Sequence, residues 1–98
     1  MVVLELTKDK DELNFIEEQI NEYPEIEILE VDSLGLETVI QVVIPVTAIL
    51  APVISTILQK ILDNKRVTIK YKDIEISAGS YEEAKKILDD IMEKENGN

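Results

Sequence analysis

The chain has 98 residues, and its 21 acidic and 10 basic side chains leave a formal net charge of −11. It contains neither cysteine nor histidine, which excludes a disulfide framework, thiolate chemistry and the side chain most often used as a metal ligand or general base. The negative charge argues against nonspecific binding to nucleic acid or to anionic membranes. The length predicts one domain, to which we assign residues 1–94, with residues 95–98 as a disordered tail.

The first third of the chain predicts a strand, a helix and a second strand. Val2–Thr7 alternates in the way of a strand with one buried face. Asp9 or Asp11 can cap a helix that ends at Pro24, and residues 25–31 form the second strand. A crossover of this length predicts that the two strands are parallel.

The centre of the chain, residues 36–62, is an apolar stretch with no charged residue between Glu37 and Lys60. On a helical projection it is apolar on almost all sides, which predicts a long helix buried in the core of the domain. Ser33 is positioned to cap this helix. Its two internal prolines are tolerable if the helix bends around the core.

One narrow strip of this predicted helix carries small or weakly polar side chains. The strip consists of Gln41, Pro45, Ala48, Pro52, Ser55 and Gln59. Charged residues usually occupy a solvent-exposed helix face, so we predict that this strip is an interaction surface. It would bind a partner helix or a second copy of the chain in a homo-oligomer. The alternative is that neighbouring loops of the same chain cover it.

The same stretch allows an alternative in which residues 38–59 span a membrane, since about 20 apolar residues cross a bilayer. Lys60, Lys65 and Arg66 follow the stretch while mainly acidic residues precede it, in agreement with the positive-inside rule. A spanning helix would leave two small β-rich units outside, and two strands alone seldom form a stable sheet. The amino terminus shows no basic region followed by an apolar run, so we expect a cytoplasmic domain and keep a single-span membrane protein as the alternative.

The last third of the chain predicts a hairpin and a helix. Residues 66–71 and 74–78 alternate as two strands, and Ser80 with Glu83 forms a capping box for the final helix. Because the strands have one apolar and one polar face, helices should cover one face of the sheet only. The predicted fold is an α+β two-layer sandwich, with a four-stranded mixed sheet, three helices on one face and the order β-α-β-α-β-β-α.

Groups of carboxylates along the chain are poor candidates for chemistry. Asp9, Asp11 and Glu12 resemble the start of a calcium loop, but the glycine and the closing glutamate of such a loop are missing. Glu25 and Glu30 lie on opposite faces of their strand, and no nucleophile accompanies them. We therefore predict no catalytic, cofactor-binding or metal-binding residue, and no enzyme activity.

One pattern extends over nearly the whole chain. A glycine-containing turn (Asp32, Ser33, Leu34, Gly35) opens a long uncharged helix, and basic residues, a Val-Thr-Ile-Lys-Tyr strand and a short acidic-capped helix follow. This pattern resembles the effector-associated constant component families of bacterial conflict systems. The resemblance implies a small non-catalytic domain, encoded beside effectors such as peptidases and nucleases, with an adaptor or regulatory role. It supplies no active-site residue.

Function stays open between two classes besides the membrane protein. The first is an interaction or adaptor domain that binds a protein partner through the strip, a sheet edge or the acidic half of the chain. The second is an acidic inhibitor that occupies the basic nucleic-acid channel of a defence nuclease. Its support is the net charge of −10 in residues 1–40, which hold twelve acids and two lysines. Neither class requires a cofactor or direct contact with nucleic acid.

Overall fold

The structure is a computed structural model that describes residues 1–33, 37–49, 51–63 and 65–96. Its elements are β1 (Val2–Thr7), α1 (Lys10–Gln19), β2 (Glu27–Ser33), β3 (Glu37–Ile44), a 3₁₀ helix (Val46–Ala48), α2 (Pro52–Leu62), β4 (Val67–Tyr71), β5 (Ile74–Ala78) and α3 (Tyr81–Asn96). The α+β class and the three α-helices agree with the sequence prediction. The number of strands does not.

The five strands form one sheet in the order β2-β3-β1-β4-β5, and all neighbouring strands are antiparallel. β1 and β2 run in the same direction, but β3 lies between them; β3 and β4 likewise run in the same direction with β1 between them. Two interleaved β-α-β units of this kind form the ferredoxin-like topology, which β5 and α3 extend here. The predicted four-stranded mixed sheet is therefore wrong.

The long apolar helix predicted over residues 36–62 is also wrong. Its first part is β3, its last part is α2, and the short 3₁₀ helix lies between them. Most residues of β3 are β-branched and favour a strand. Pro45 follows β3 and has no N–H to donate to a ladder, whereas Pro52 lies in the first turn of α2, where a missing N–H costs nothing. Ser33 ends β2 instead of capping a helix. Leu50, which the predicted helix would have placed in the core, lies outside the described residues.

The helices cover one face of the sheet, as the strand pattern predicted. Leu4 of β1 is fully buried and lies opposite Val42 of β3 and Ile69 of β4, which are also buried. The side chains between these positions point to the other face and are partly exposed. α2 contributes the largest helical share of the core, through Val53, Ile54, Ile57, Leu58, Ile61 and Leu62. The core thus lies between the helices and one side of the sheet.

The ends of several elements follow the sequence signals. The Asp9 carboxylate accepts hydrogen bonds from the backbone N–H groups of Asp11 and Glu12, which caps α1. The Glu83 N–H donates to the Ser80 hydroxyl at the start of α3. α3 is helical as far as Asn96, so the first residues of the predicted tail belong to it, and residues 97–98 lie outside the described part.

Candidate functional site

The candidate site is the face of the sheet that the helices leave open. Among the residues whose side chains the structure describes, strand register places thirteen on this face. They are Glu27, Leu29 and Val31 of β2, Val39, Gln41 and Val43 of β3, Val3, Glu5 and Thr7 of β1, Thr68 and Lys70 of β4, and Glu75 and Ser77 of β5. The face divides into a polar centre and an apolar side, and the two have different properties.

The polar centre consists of Glu5, Gln41 and Lys70, from three neighbouring strands. The Glu5 carboxylate accepts a hydrogen bond from the Gln41 amide at 2.9 Å and pairs with the Lys70 ammonium at 3.0 Å. The hydrogen bond from Gln41, with the contribution of Lys70, holds the pKa of Glu5 below its ordinary value of 4.5. Glu5 in turn raises the pKa of Lys70. A carboxylate stabilised in its charged form at neutral pH is a poor general acid or base. The contacts of Glu5 instead connect side chains of β3, β1 and β4.

The pKa of Glu5 predicts how stability depends on pH. Because the folded pKa is lowered, the contribution of Glu5 is fully present above its unfolded pKa and is lost as pH falls through the folded pKa. We expect Glu5→Gln to reduce the free energy of unfolding at neutral pH. The difference from the unmodified protein should shrink as pH falls below 4.5. Urea unfolding at a series of pH values measures this difference, and a gap that is independent of pH would contradict the assignment.

The apolar side of the open face is defined here as the apolar patch: Val3, Leu29, Val31, Val39 and Val43. Leu29 and Val31 of β2 remain 46% and 43% exposed, and the other three side chains are partly exposed. In the register, Leu29 lies opposite Gln41 and Val31 lies opposite Val39, so the patch spans three strands. Single exposed apolar residues are ordinary, whereas a contiguous group on an uncovered sheet face is typical of an interaction site.

The six residues of the predicted strip do not form one surface. Gln41 lies on the open face of the sheet, Pro45 follows β3, and Ala48 is buried in the 3₁₀ helix. Pro52, Ser55 and Gln59 share one side of α2. The strip was derived from a single helix that is absent, so its geometric basis is wrong. Gln41 alone belongs to the candidate site, where it binds Glu5.

Of the three carboxylates that resemble the start of a calcium loop, two have other partners in the structure. Asp9 caps α1, and Glu12 forms an ion pair with Lys65 at 2.7 Å. In the described ranges, no group of three or more carboxylates is arranged to hold a metal ion. Arg66, the only arginine, donates to the hydroxyl and the carbonyl oxygen of Ser77 rather than to a carboxylate.

The helical face carries a wide cleft of about 660 Å³ between α1, α2 and the start of α3. Its walls include Phe15, whose ring centroid lies 5.2 Å from the Lys60 ammonium, and Tyr81. Ser80 also lines this cleft, and its hydroxyl already accepts a hydrogen bond from the Glu83 N–H. With no histidine or cysteine in the chain, the cleft has no Ser–His or Cys–His pair that could activate a nucleophile.

The described part of the chain has no helix that is both long and apolar enough to cross a membrane. The segment proposed to span, residues 38–59, is divided between β3, the 3₁₀ helix and α2. The single spanning helix considered from the sequence therefore does not occur among these elements.

Sequence reasoning missed the apolar patch because it placed two of its five residues, Val39 and Val43, in a helix. Val39 and Val43 alternate with Ile40, Val42 and Ile44, which is the signal of a strand with two apolar faces. No protein-family model matches the sequence, and neither a curated protein nor a solved structure matches the chain.

Proposed function

We propose that this chain is a non-catalytic interaction domain that binds a protein partner through the open face of its sheet. The observation that carries the proposal is the apolar patch, in which Leu29 and Val31 are nearly half exposed next to three further apolar side chains. Burying such side chains contributes about 25 cal/mol per Å² of apolar surface, so the patch favours association with a partner.

The polar centre supports the same proposal. Glu5, Gln41 and Lys70 satisfy one another at the middle of the sheet, so a partner can cover them without leaving an unpaired charge. An apolar area bordered by satisfied polar groups is the usual composition of a protein interface. The open face therefore combines apolar binding area with a central carboxylate and ammonium that are already paired.

The biological setting of the proposal is that of an adaptor in a bacterial conflict or regulatory system. It rests on the resemblance described above, which implies a small domain encoded beside an effector. Of that pattern, the Val-Thr-Ile-Lys-Tyr strand and the final capped helix occur in the structure, whereas the long uncharged helix does not. An acidic inhibitor of a nuclease remains the second function, and it differs in one measurable respect. It would inhibit the nuclease activity of its partner, whereas an adaptor would bind a partner without reducing activity.

The test uses the purified products of the genes that neighbour this one, with binding measured by titration calorimetry. We expect one of them to bind, and the double variant Leu29→Thr, Val31→Thr to weaken binding by about tenfold, because threonine keeps the strand but removes apolar contact area. The matched control is Ile76→Thr, at a residue that is 40% exposed on β5 and lies on the helical side of the sheet.

The control decides the assignment of the surface. Binding that is lost equally in the double variant and in Ile76→Thr, or in neither, would show that the partner does not use the apolar patch. Circular dichroism of each variant confirms that the fold is intact.

A further inference from the structure

We infer that the partner adds a strand to the free edge of β2, and that this strand alternates apolar and basic residues. The inference rests on the proposed function, because it specifies the kind of partner that the open face binds. It is carried by three observations: the free edge, the pattern of side chains along β2, and the distribution of charge around it.

β2 is the outermost strand on its side of the sheet and pairs only with β3. Among the described residues, the backbone of Glu27–Val31 makes no hydrogen bond other than those of the ladder with β3. An uncovered edge strand presents N–H and C=O groups that another strand can pair with. The other edge differs, since the Ser77 carbonyl of β5 accepts a hydrogen bond from Arg66 at 3.4 Å.

The side chains of β2 specify what an added strand must carry. Leu29 and Val31 point to the open face, so a neighbouring strand with apolar residues there would extend the apolar patch. Glu27 also points to the open face, while Glu30 points to the helical side, opposite Ile40. Strict alternation puts all basic residues of the added strand on one face, so with its apolar residues on the open face its basic residues lie on the helical side, beside Glu30.

Charge decides between a second copy of this chain and a basic partner. The sequence contains no lysine or arginine from Asp11 to Gln59, so β2 and the segments that flank it along the chain carry acidic charges only. Lys8 pairs with Glu30 at 3.1 Å, and both side chains are largely exposed. Two β2 edges brought together would place carboxylates against carboxylates, which opposes pairing between identical chains. The carboxylates on the edge of β2 attract a basic strand and repel an acidic one.

The acidic edge of β2 thus favours a basic strand over other strands. Charged residues on an edge strand, especially ones that point toward the covered side as Glu30 does, protect a sheet from pairing at random. The same carboxylates favour a strand of opposite charge, which gives selectivity without a shaped pocket.

The experiment uses the full chain, isotope-labelled, and three short synthetic peptides as probes. In the first, lysine and valine alternate; in the second, glutamate replaces each lysine; in the third, the residues of the first are grouped in blocks. We expect the alternating lysine peptide to bind, with amide chemical-shift changes concentrated in Glu27–Val31. The glutamate and block peptides should bind at least about tenfold more weakly, because they lack the charge or the alternation.

Two charge-reversal variants distinguish the effect of a charge beside the bound peptide from the effect of the net charge of the chain. Glu30→Lys and Glu93→Lys change the net charge equally, but Glu93 lies exposed on α3. We expect Glu30→Lys to weaken binding of the alternating lysine peptide by about fivefold and Glu93→Lys to leave it nearly unchanged. Equal weakening in both variants, or shift changes outside β2, would overturn the inference.

The two proposals can fail separately. A neighbouring gene product that loses affinity in the Leu29→Thr, Val31→Thr variant but not in Glu30→Lys would uphold the open face as an interaction surface and overturn the added basic strand. Loss of affinity in both variants, with Ile76→Thr and Glu93→Lys unaffected, supports both proposals.

Discussion

Leu4→Ala is expected to lower the free energy of unfolding by about 3 kcal/mol, the typical loss for a leucine truncated in a well-packed core. Leu4 is fully buried in β1, the central strand of the sheet, and its neighbours Val42 and Ile69 are buried on either side. Because these strands are fixed by their ladders, the structure cannot collapse readily into the space left by the missing methyl groups. A loss of this size is a large fraction of the stability of a domain of about 100 residues.

The control for Leu4 is its neighbour on the other face of the same strand. Val3 lies on the open face and is partly exposed, so Val3→Ala should cost less than about 1 kcal/mol. Urea unfolding followed by circular dichroism gives both values. Similar losses in the two variants would mean that the sheet is not covered on one side only.

The parts of the fold that the sequence predicted are those specified by local signals. β1, β4 and β5 carry apolar side chains at every second position, Asp9 caps α1, and Ser80 with Glu83 caps α3. Each signal acts over a few residues and requires no knowledge of distant contacts. These elements therefore agree with the structure in type and, to within a few residues, in position.

The apolar stretch failed because its pattern fits two structures. A run that is apolar on all sides of a helical projection is also what a strand with two apolar faces followed by a core helix would show. Two local features distinguish the cases. β-branched residues are concentrated before Pro45, and Pro52 suits the first turn of a helix, so the prolines are better interpreted as boundaries than as kinks.

The side chains that meet on the open face could not be predicted from local sequence patterns. Glu5 and Gln41 are 36 positions apart, and they meet because β1 and β3 pair in one particular register. A shift of one residue would move Gln41 to the buried face. The apolar patch depends on the same register, together with the assignment of Val39 and Val43 to a strand. The candidate site therefore follows from the topology rather than from any motif.

Lys65→Met is expected to cost about 2 kcal/mol, since it leaves the Glu12 carboxylate without its cation. The Glu12 side chain is only 10% exposed, and its oxygen lies 2.7 Å from the Lys65 ammonium. The same ammonium donates to the carbonyl oxygen of Thr7 at 3.1 Å, which ties the segment before β4 to α1 and to the end of β1. Because Lys65 itself is 23% exposed, water partly replaces it, and the loss is smaller than for a fully buried pair.

Two further variants test whether the unpaired carboxylate causes this loss. Lys85→Met removes a lysine from a surface pair with Asp89 at 3.2 Å, where both side chains are about half exposed, and should change stability by less than about 0.5 kcal/mol. The double variant Glu12→Leu, Lys65→Met removes both charges and should recover most of the stability that Lys65→Met loses, because no charge is left buried. If the double variant is less stable than Lys65→Met alone, Glu12 stabilises the fold independently of Lys65, and the pair is not what holds α1 against the end of β1.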